Sequence, residues 1–158
     1  MSKKPQSKTY ALNKKARRDY EIIETYEAGI ELRGTEVKAI KSGGNVQFAD
    51  AHIRCRDGQV FLLNCHIARY EFGTHSNHEE TRTRRLLMHK NQILKISQQM
   101  KEKGLTMVPL KMYPSRHLIK VEVGLARGKK VYEKREDLKK KDVKMNLSRQ
   151  FASGKIKV

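Results

Sequence analysis

The sequence predicts a mainly β fold: an OB-fold-like closed antiparallel barrel with short flanking helices and a basic C-terminal tail that is helical only when bound. Three observations predict it. Short runs of β-branched and aromatic residues recur between turn signals, two of those signals sit at hairpin spacing, and helical apolar periodicity is confined to brief stretches. Short hairpin-linked strands close readily into a small barrel, and the OB-fold is the commonest such form that holds nucleic acid; an open α+β sandwich is the alternative.

Residues 1–18 are polar and basic with almost nothing to bury, so they read as a flexible N-terminal arm. Residues 19–126 read as the barrel. In it, Tyr20 to Tyr26 and Ile30-Glu31-Leu32 form two strands bent at Gly29. Val37 and Ile40, spaced for a helix after a Thr35 N-cap, are followed by Ser42-Gly43-Gly44 as a stop. Residues 46–55 and 59–67 form a hairpin around Asp57-Gly58. A three-residue turn there sets Cys55 opposite Gln59, Ile53 opposite Phe61, Ala51 opposite Leu63 and Ala49 opposite Cys65. The two cysteines then stand roughly 20 Å apart, too far for a disulfide, and read as reduced small hydrophobes. Residues 73–85 lack apolar periodicity and read as a charged loop.

Ile93, Ile96 and Met100 recur at helical spacing between His89 and Lys103, with Gly104 placed as the C-terminal cap. The runs Leu105 to Tyr113 and Leu118 to Leu125 form a second hairpin across Pro114-Ser115-Arg116-His117, its second strand alternating strictly at Ile119, Val121, Val123 and Leu125. Residues 127–158 are a basic tail. There Val143, Leu147 and Phe151 make a stripe too thin to hold an isolated helix against the repulsion among Lys139, Lys140, Lys141 and Lys144.

The chain of 158 residues carries 35 lysines and arginines against 17 acids, a formal charge of +18, which makes a polyanion the default partner. No apolar run is long enough to cross a bilayer, and the N-terminus lacks the apolar segment of a signal peptide, so a cytoplasmic protein without a membrane role is expected. The six histidines do not assemble into an enzyme motif. His75 and His78 lack the His-Glu-x-x-His pattern and read as solvated loop residues, His52 and His66 as strand residues, and His117 as a turn residue. Neither a phosphate-binding Gly-x-x-x-x-Gly-Lys loop nor a Gly-x-Gly-x-x-Gly dinucleotide motif is present. The expectation is therefore a non-enzymatic protein with no metal and no cofactor. Three basic clusters are more informative: Lys14-Lys15-x-Arg17-Arg18, Arg82-x-Arg84-Arg85, and Lys129-Lys130 with Lys134-Arg135. Clusters on several sides of one small domain suit a folded RNA, and few aromatic residues remain free to stack on single-stranded bases.

Four segments, in order, carry a resemblance. They are Asn13-Lys14-Lys15-Ala16-Arg17-Arg18-Asp19-Tyr20, Glu27-Ala28-Gly29-Ile30-Glu31-Leu32-x-Gly34-Thr35-Glu36-Val37-Lys38, Arg82-Thr83-Arg84-Arg85-Leu86-Leu87 and Gly128-Lys129-Lys130-x-Tyr132-Glu133-Lys134-Arg135. Together they resemble the signature blocks of the SmpB (small protein B) family. The resemblance implies a protein that binds the tRNA-like domain of tmRNA and enters the vacant A site of a stalled ribosome. It further implies a C-terminal tail directed at the decoding centre and mRNA channel, with elongation factor Tu as a companion in the tmRNA complex. It implies tmRNA contacts at Glu27, Leu87 and His89, and the basic residues Lys14, Lys15, Arg17, Lys38, Arg82, Arg84 and Arg85 are expected beside them, on charge, as RNA contacts. Ribosome contacts are implied at Lys129, Lys130, Tyr132, Lys134 and Arg135, continued along the tail by Lys139, Lys140 and Lys144.

Overall fold

A computed structural model describes residues 8–73 and 75–154. The expected arm's residues 1–7, loop position 74 and the last tail residues 155–158 lie outside the described residues.

A seven-stranded antiparallel sheet dominates, in the order β1-β8-β9-β2-β7-β5-β4. The strands are β1 (Ala11–Leu12), β2 (Tyr20–Ile30), β4 (His52–Arg56), β5 (Gln59–Leu63), β7 (Arg84–Leu87), β8 (Thr106–Ser115) and β9 (Leu118–Gly128), while β3 (Val46–Gln47) and β6 (His66–Ile67) pair separately. Four helices join them: α1 (Lys14–Asp19), α2 (Gly34–Lys41), α3 (Lys90–Lys103) and α4 (Val131–Ala152). The expected closed barrel is therefore an open sheet. Among the described residues no ladder joins β4 to β8; their side chains meet instead, the Cys55 thiol lying 3.6 Å from the Met107 sulfur.

The core lies on one face, where Ile30, Ile40, Ile53, Leu62, Leu86, Ile96, Met107, Val121 and Leu125 are buried together. A smaller cluster of Ala16, Val108, Leu110 and Ala126, with Tyr20 and Ile22 against it, seats α1. Residues 11–19 are thus not a free arm. The buried Asn13 explains why: its side-chain oxygen accepts from the Ala16 N–H at 3.0 Å, capping α1, and its amide donates to the Pro109 carbonyl at 2.8 Å.

Several local expectations shift by one residue or one strand. Residues 20–30 form a single strand with a bulge between Ile22 and Glu24, and no bend at Gly29. Gly29 serves closeness instead, since a Cβ there would stand 3.2 Å from the Leu87 Cβ on β7. The β4-β5 hairpin turns on two residues, with Asp57 (φ 51°) and Gly58 (φ 72°) both left-handed, so Cys55 faces Val60 and Ile53 faces Leu62. That register keeps Ile53, Val60 and Leu62 on the buried face. α2 starts at Gly34, and its N-terminal cap is the Glu36 carboxylate, which accepts from the Arg33 N–H at 2.8 Å, rather than Thr35. α3, its left-handed Gly104 cap (φ 62°) and the β8-β9 hairpin turning at Arg116-His117 lie where the sequence put them.

The segment expected to be a charged loop contains β7 and the main polar centre of the core. Arg84 and Leu86 point inward while Arg85 and Leu87 point out. Arg84 and Glu36 are fully buried, 0% exposed, and bonded at 2.9 Å. Arg82 adds a second bond to Glu36 at 2.7 Å, and Arg84 also donates to the carbonyls of Cys65 (2.6 Å) and Glu80 (3.1 Å). His78, expected to be solvated, is buried: its ring nitrogens lie 3.0 Å from the Thr35 hydroxyl and 3.1 Å from the Ile67 carbonyl. A carbonyl only accepts, so Nε2 carries a proton.

The tail departs from expectation too, being helical in the isolated chain, with no buried residue. Its first turns supply the reason. Glu133 accepts from the Lys130 N–H at 3.0 Å, and Lys134 reaches Asp19 at 3.7 Å.

Burial alone would raise the Glu36 carboxyl's pKa, but the bonds from Arg82 and the Arg33 N–H and the charge of Arg84 outweigh it and hold Glu36 below the usual carboxylate range. A pKa depressed in the folded state contributes stability above the unfolded value, near ~4.3, and that stability is lost as pH falls through the folded value. Glu36→Gln leaves two arginines without their counterion and is expected to cost about 3–5 kcal/mol. Urea unfolding at neutral pH checks this, and the difference from wild type is expected to shrink as pH falls below that window.

Candidate nucleic-acid interface

β7 and β2 bring together residues that are far apart in sequence. Leu87 pairs with Gly29, two residues beyond Glu27, and the chain leaving β7 delivers His89 as the residue capping α3. Glu27, Leu87, His89, Gln92 and Lys120 line one shallow depression. Leu87 is 49% exposed, so it offers an apolar surface there rather than core packing.

Within the depression the Glu27 carboxylate is already partnered. Lys120 donates to it at 2.6 Å and the Tyr113 hydroxyl at 2.5 Å. Those two bonds, Lys120 first and Tyr113 second, hold Glu27 below its ordinary carboxylate range. Tyr113 is pushed the other way, by burial and then by its bond to Glu27. Strands β2, β8 and β9 each supply one member of this trio. Tyr113, Lys120 and Gln92 were missed at the sequence level. The strict alternation of Ile119, Val121 and Val123 was a usable signal, because it turns Lys120 away from the core.

The arginine cluster divides. Arg84 has no exposed surface and Arg82 is mostly committed to Glu36, so neither joins a phosphate-facing cluster as expected; Arg85 alone of the three is exposed on β7. Lys38 projects from α2 with its ammonium 5.8 Å from the centre of the Tyr70 ring.

The remaining predicted residues lie at the opposite end of β2. Glu27 and Tyr20 are seven residues apart on an extended strand, about 23 Å at ~3.3 Å per residue. At the Tyr20 end, β9 leaves the sheet at Gly128 and runs into α4. Lys14, Lys15, Arg17 and Arg18 of α1 there form a groove with Lys129, Leu138 and Lys141, and the groove holds a single carboxylate, Asp137. Lys129 bonds Asp137 at 2.5 Å, which holds that carboxylate below its usual range. Tyr132 is 58% exposed under the Lys130 ammonium, 6.0 Å from the ring centre. Arg135, Lys139, Lys140 and Lys144 project along the exposed helix.

Among the described residues no group of three or more His, Cys, Asp or Glu side chains is disposed to hold a metal ion, and no helix is long and apolar enough to cross a membrane.

A small basic protein built on one open antiparallel sheet, with a mixed polar and apolar depression at one end and a cationic groove and helix at the other, is of the RNA-binding class. The chain belongs to the SmpB family: the model for "SmpB protein" matches residues 10–153. It is 51% identical over 142 residues to the SsrA-binding protein of Thermosipho africanus, covering 89% of this chain and 95% of the relative. It is 49% identical over 148 residues to that of Geobacillus thermodenitrificans, covering 94% and 95%. A solved structure described as "tmRNA-SmpB: a journey to the center of the bacterial ribosome" is similar at TM-score 0.62 and 49% identity, over 84% of this chain and 93% of that one.

The Lys120 bond is the leading cause of the low Glu27 pKa, so Lys120→Ala is expected to move the Glu27 titration up toward the ordinary glutamate value. Side-chain carboxyl NMR across an acid titration reads this directly, and an unmoved midpoint would assign the depression to Tyr113 alone.

Proposed function

We propose that this chain binds the tRNA-like domain of tmRNA through the Glu27, Leu87 and His89 depression and carries it into the vacant A site of a stalled ribosome. There α4 enters the mRNA channel when no message fills it, which leads to peptide tagging and ribosome rescue in the cytoplasm. Elongation factor Tu accompanies the complex before entry. The chain contributes recognition and placement, and peptidyl transfer belongs to the ribosome.

The observation that carries this reading is the convergence of residues from β2, β7, α3 and β9 in one depression, at the opposite end of the sheet from α4. Leu87 presents aliphatic surface to a ribose or base face, His89 and Gln92 offer hydrogen-bonding groups, and Glu27 accepts from base amines or 2′-hydroxyls, groups that a phosphate lacks. Such a set reads RNA features, whereas lysines alone read only charge. At the other end α4 presents basic residues along its length and buries none of them, as a helix does when its contacts lie on a partner.

Two measurements test the reading. Glu27→Gln is expected to weaken tmRNA binding roughly tenfold, the worth of a charge-assisted hydrogen bond of about 1.5 kcal/mol, while leaving an unrelated RNA hairpin bound as before. Equal losses on both RNAs would remove Glu27 from the specific site. Deletion of residues 133–158 is expected to leave tmRNA affinity within about twofold and to abolish tagging on ribosomes stalled without a codon. Full tagging by the truncated protein would overturn the role given to α4.

A further inference from the structure

We propose that Phe61, set between Arg54 and Arg85 on the outer face of the sheet, is a stacking platform for one unpaired base of the bound tmRNA. The inference rests on the tmRNA reading above and deepens it, adding an aromatic contact on β4 and β5 to a site otherwise built from β2, β7, α3 and β9.

The placement of Phe61 follows from the turn beside it. With a three-residue loop Phe61 would face Ile53 and join the core, which is how the sequence reads. The two-residue turn at left-handed Asp57 and Gly58 moves the pairing by one, so Phe61 stands opposite Arg54 on β4 and opposite Arg85 on β7. Val60 and Leu62 point inward and are fully buried. Phe61 and Leu63 lie partly exposed on the other face and belong to neither core cluster. Arg54, Arg56 and Arg85 are exposed around them, and Arg54, Arg56, Phe61, Leu63 and Thr83 line one open hollow.

This arrangement has the parts that an unpaired nucleotide needs. Directly opposed residues on antiparallel strands hold their Cβ atoms about 5 Å apart, so a guanidinium stands on either side of the ring. The ring takes a base on its π face, the guanidinium groups take the flanking phosphates, and Leu63 widens the apolar surface. No outward residue of β4, β5 or β7 is acidic. The first carboxylate in the row is Glu31, beyond Arg85, whose N–H donates to the Arg85 carbonyl at 2.9 Å. An acidic peptide would match the charge equally well, and position decides for RNA. Phe61 lies one strand across and two residues along from Leu87, roughly 8 Å at ~4.8 Å per strand and ~3.3 Å per residue. A nucleotide next to the segment seated at Leu87 therefore reaches Phe61, and a single ring limits the platform to a single base.

The test uses the full chain and exploits its lack of tryptophan. Phe61→Trp is expected to keep tmRNA affinity within about twofold and to lose fluorescence when tmRNA is added. A fully paired RNA duplex and ribosomes lacking message are expected to leave that fluorescence unchanged. Phe61→Leu is expected to bind tmRNA about tenfold more weakly with an unaltered log–log salt slope, because stacking neutralises no phosphate. Arg54→Ala is expected to lower the slope by about 0.7 to 0.9. Full tmRNA affinity in Phe61→Leu, or an unquenched Phe61→Trp in the tmRNA complex, would overturn the platform. Quenching by ribosomes and not by tmRNA would overturn the choice of RNA. Loss of tmRNA selectivity in Glu27→Gln with no effect of Phe61→Leu would sink the platform alone, whereas an inert Glu27→Gln would strike the parent reading, so the two failures are separable.

Discussion

The carboxylate of Glu36 is the constraint on which the rest of the structure depends. It is wholly buried and shared between Arg82 and Arg84, and it also caps its own helix through the Arg33 N–H. One ionised group thus ties α2, β7 and the chain approaching β7 to a single point. Arg84 extends the network by donating to backbone carbonyls of Cys65 and Glu80 that have left the sheet ladders. Buried charges cost several kcal/mol each to desolvate, and a pair with this many partners recovers that cost only when every component is in place. The network therefore selects one arrangement of β7 against its neighbours more than it adds to total stability. That arrangement decides which leucine faces the surface, because β7 turned by one residue would bury Leu87 and expose Leu86.

Much of the fold was legible where a single period or turn decides the structure. Ile93, Ile96 and Met100 with Gly104 marked α3, and the alternation from Ile119 to Leu125 marked β9 and its hairpin. Legibility failed where a tertiary partner reverses the usual preference of a residue. Arg84 reads as a surface cation until Glu36 is known to lie opposite it, and His78 reads as a loop residue until Thr35 and the Ile67 carbonyl are known to bracket it. Lys14-Lys15-x-Arg17-Arg18 hid a six-residue helix whose one apolar residue, Ala16, is enough to bury because Asn13 caps it and bonds to β8. The β4-β5 register was missed for a local reason. Asp57 takes up a left-handed conformation that the three-residue turn reserves for glycine, and every side-chain pair moves by one.

The candidate sites divided in the same way. Glu27, Leu87 and His89 came from a resemblance between short segments, and nothing in their separation along the chain says that they meet. They meet because Gly29 lets β7 approach β2 at a distance that a Cβ would crowd. Their neighbours Tyr113 and Lys120 change what the site is. An acid alone in an RNA interface repels phosphate, but an acid bonded to a lysine and a phenol presents an almost neutral, donor-rich patch with oxygen lone pairs still open. Such a patch discriminates by hydrogen-bond pattern, with little of the sequence-independent attraction that the rest of this basic surface supplies.

The two ends of β2 then divide the work between geometry and charge. At the Gly29 end, three strands fix the carboxylate and its donors with little freedom. At the Tyr20 end, part-exposed ion pairs join α4 to the body: Lys129 with Asp137, Lys134 with Asp19, and Arg127 with Glu133 at 3.9 Å. Contacts of this kind are screened by salt and exchange readily with phosphate, so they set the direction in which the helix leaves the sheet without locking it there. Beyond Asp137 the helix has no buried residue, and the lysines at 139, 140, 141 and 144 repel one another until an anionic wall surrounds them. On the proposed function, a rigid depression and a steerable helix at the two ends of the β2-β9 pair would couple position between them: with the Glu27 end seated, the length of β2 would determine where the root of α4 stands, and surface ion pairs would leave its direction adjustable.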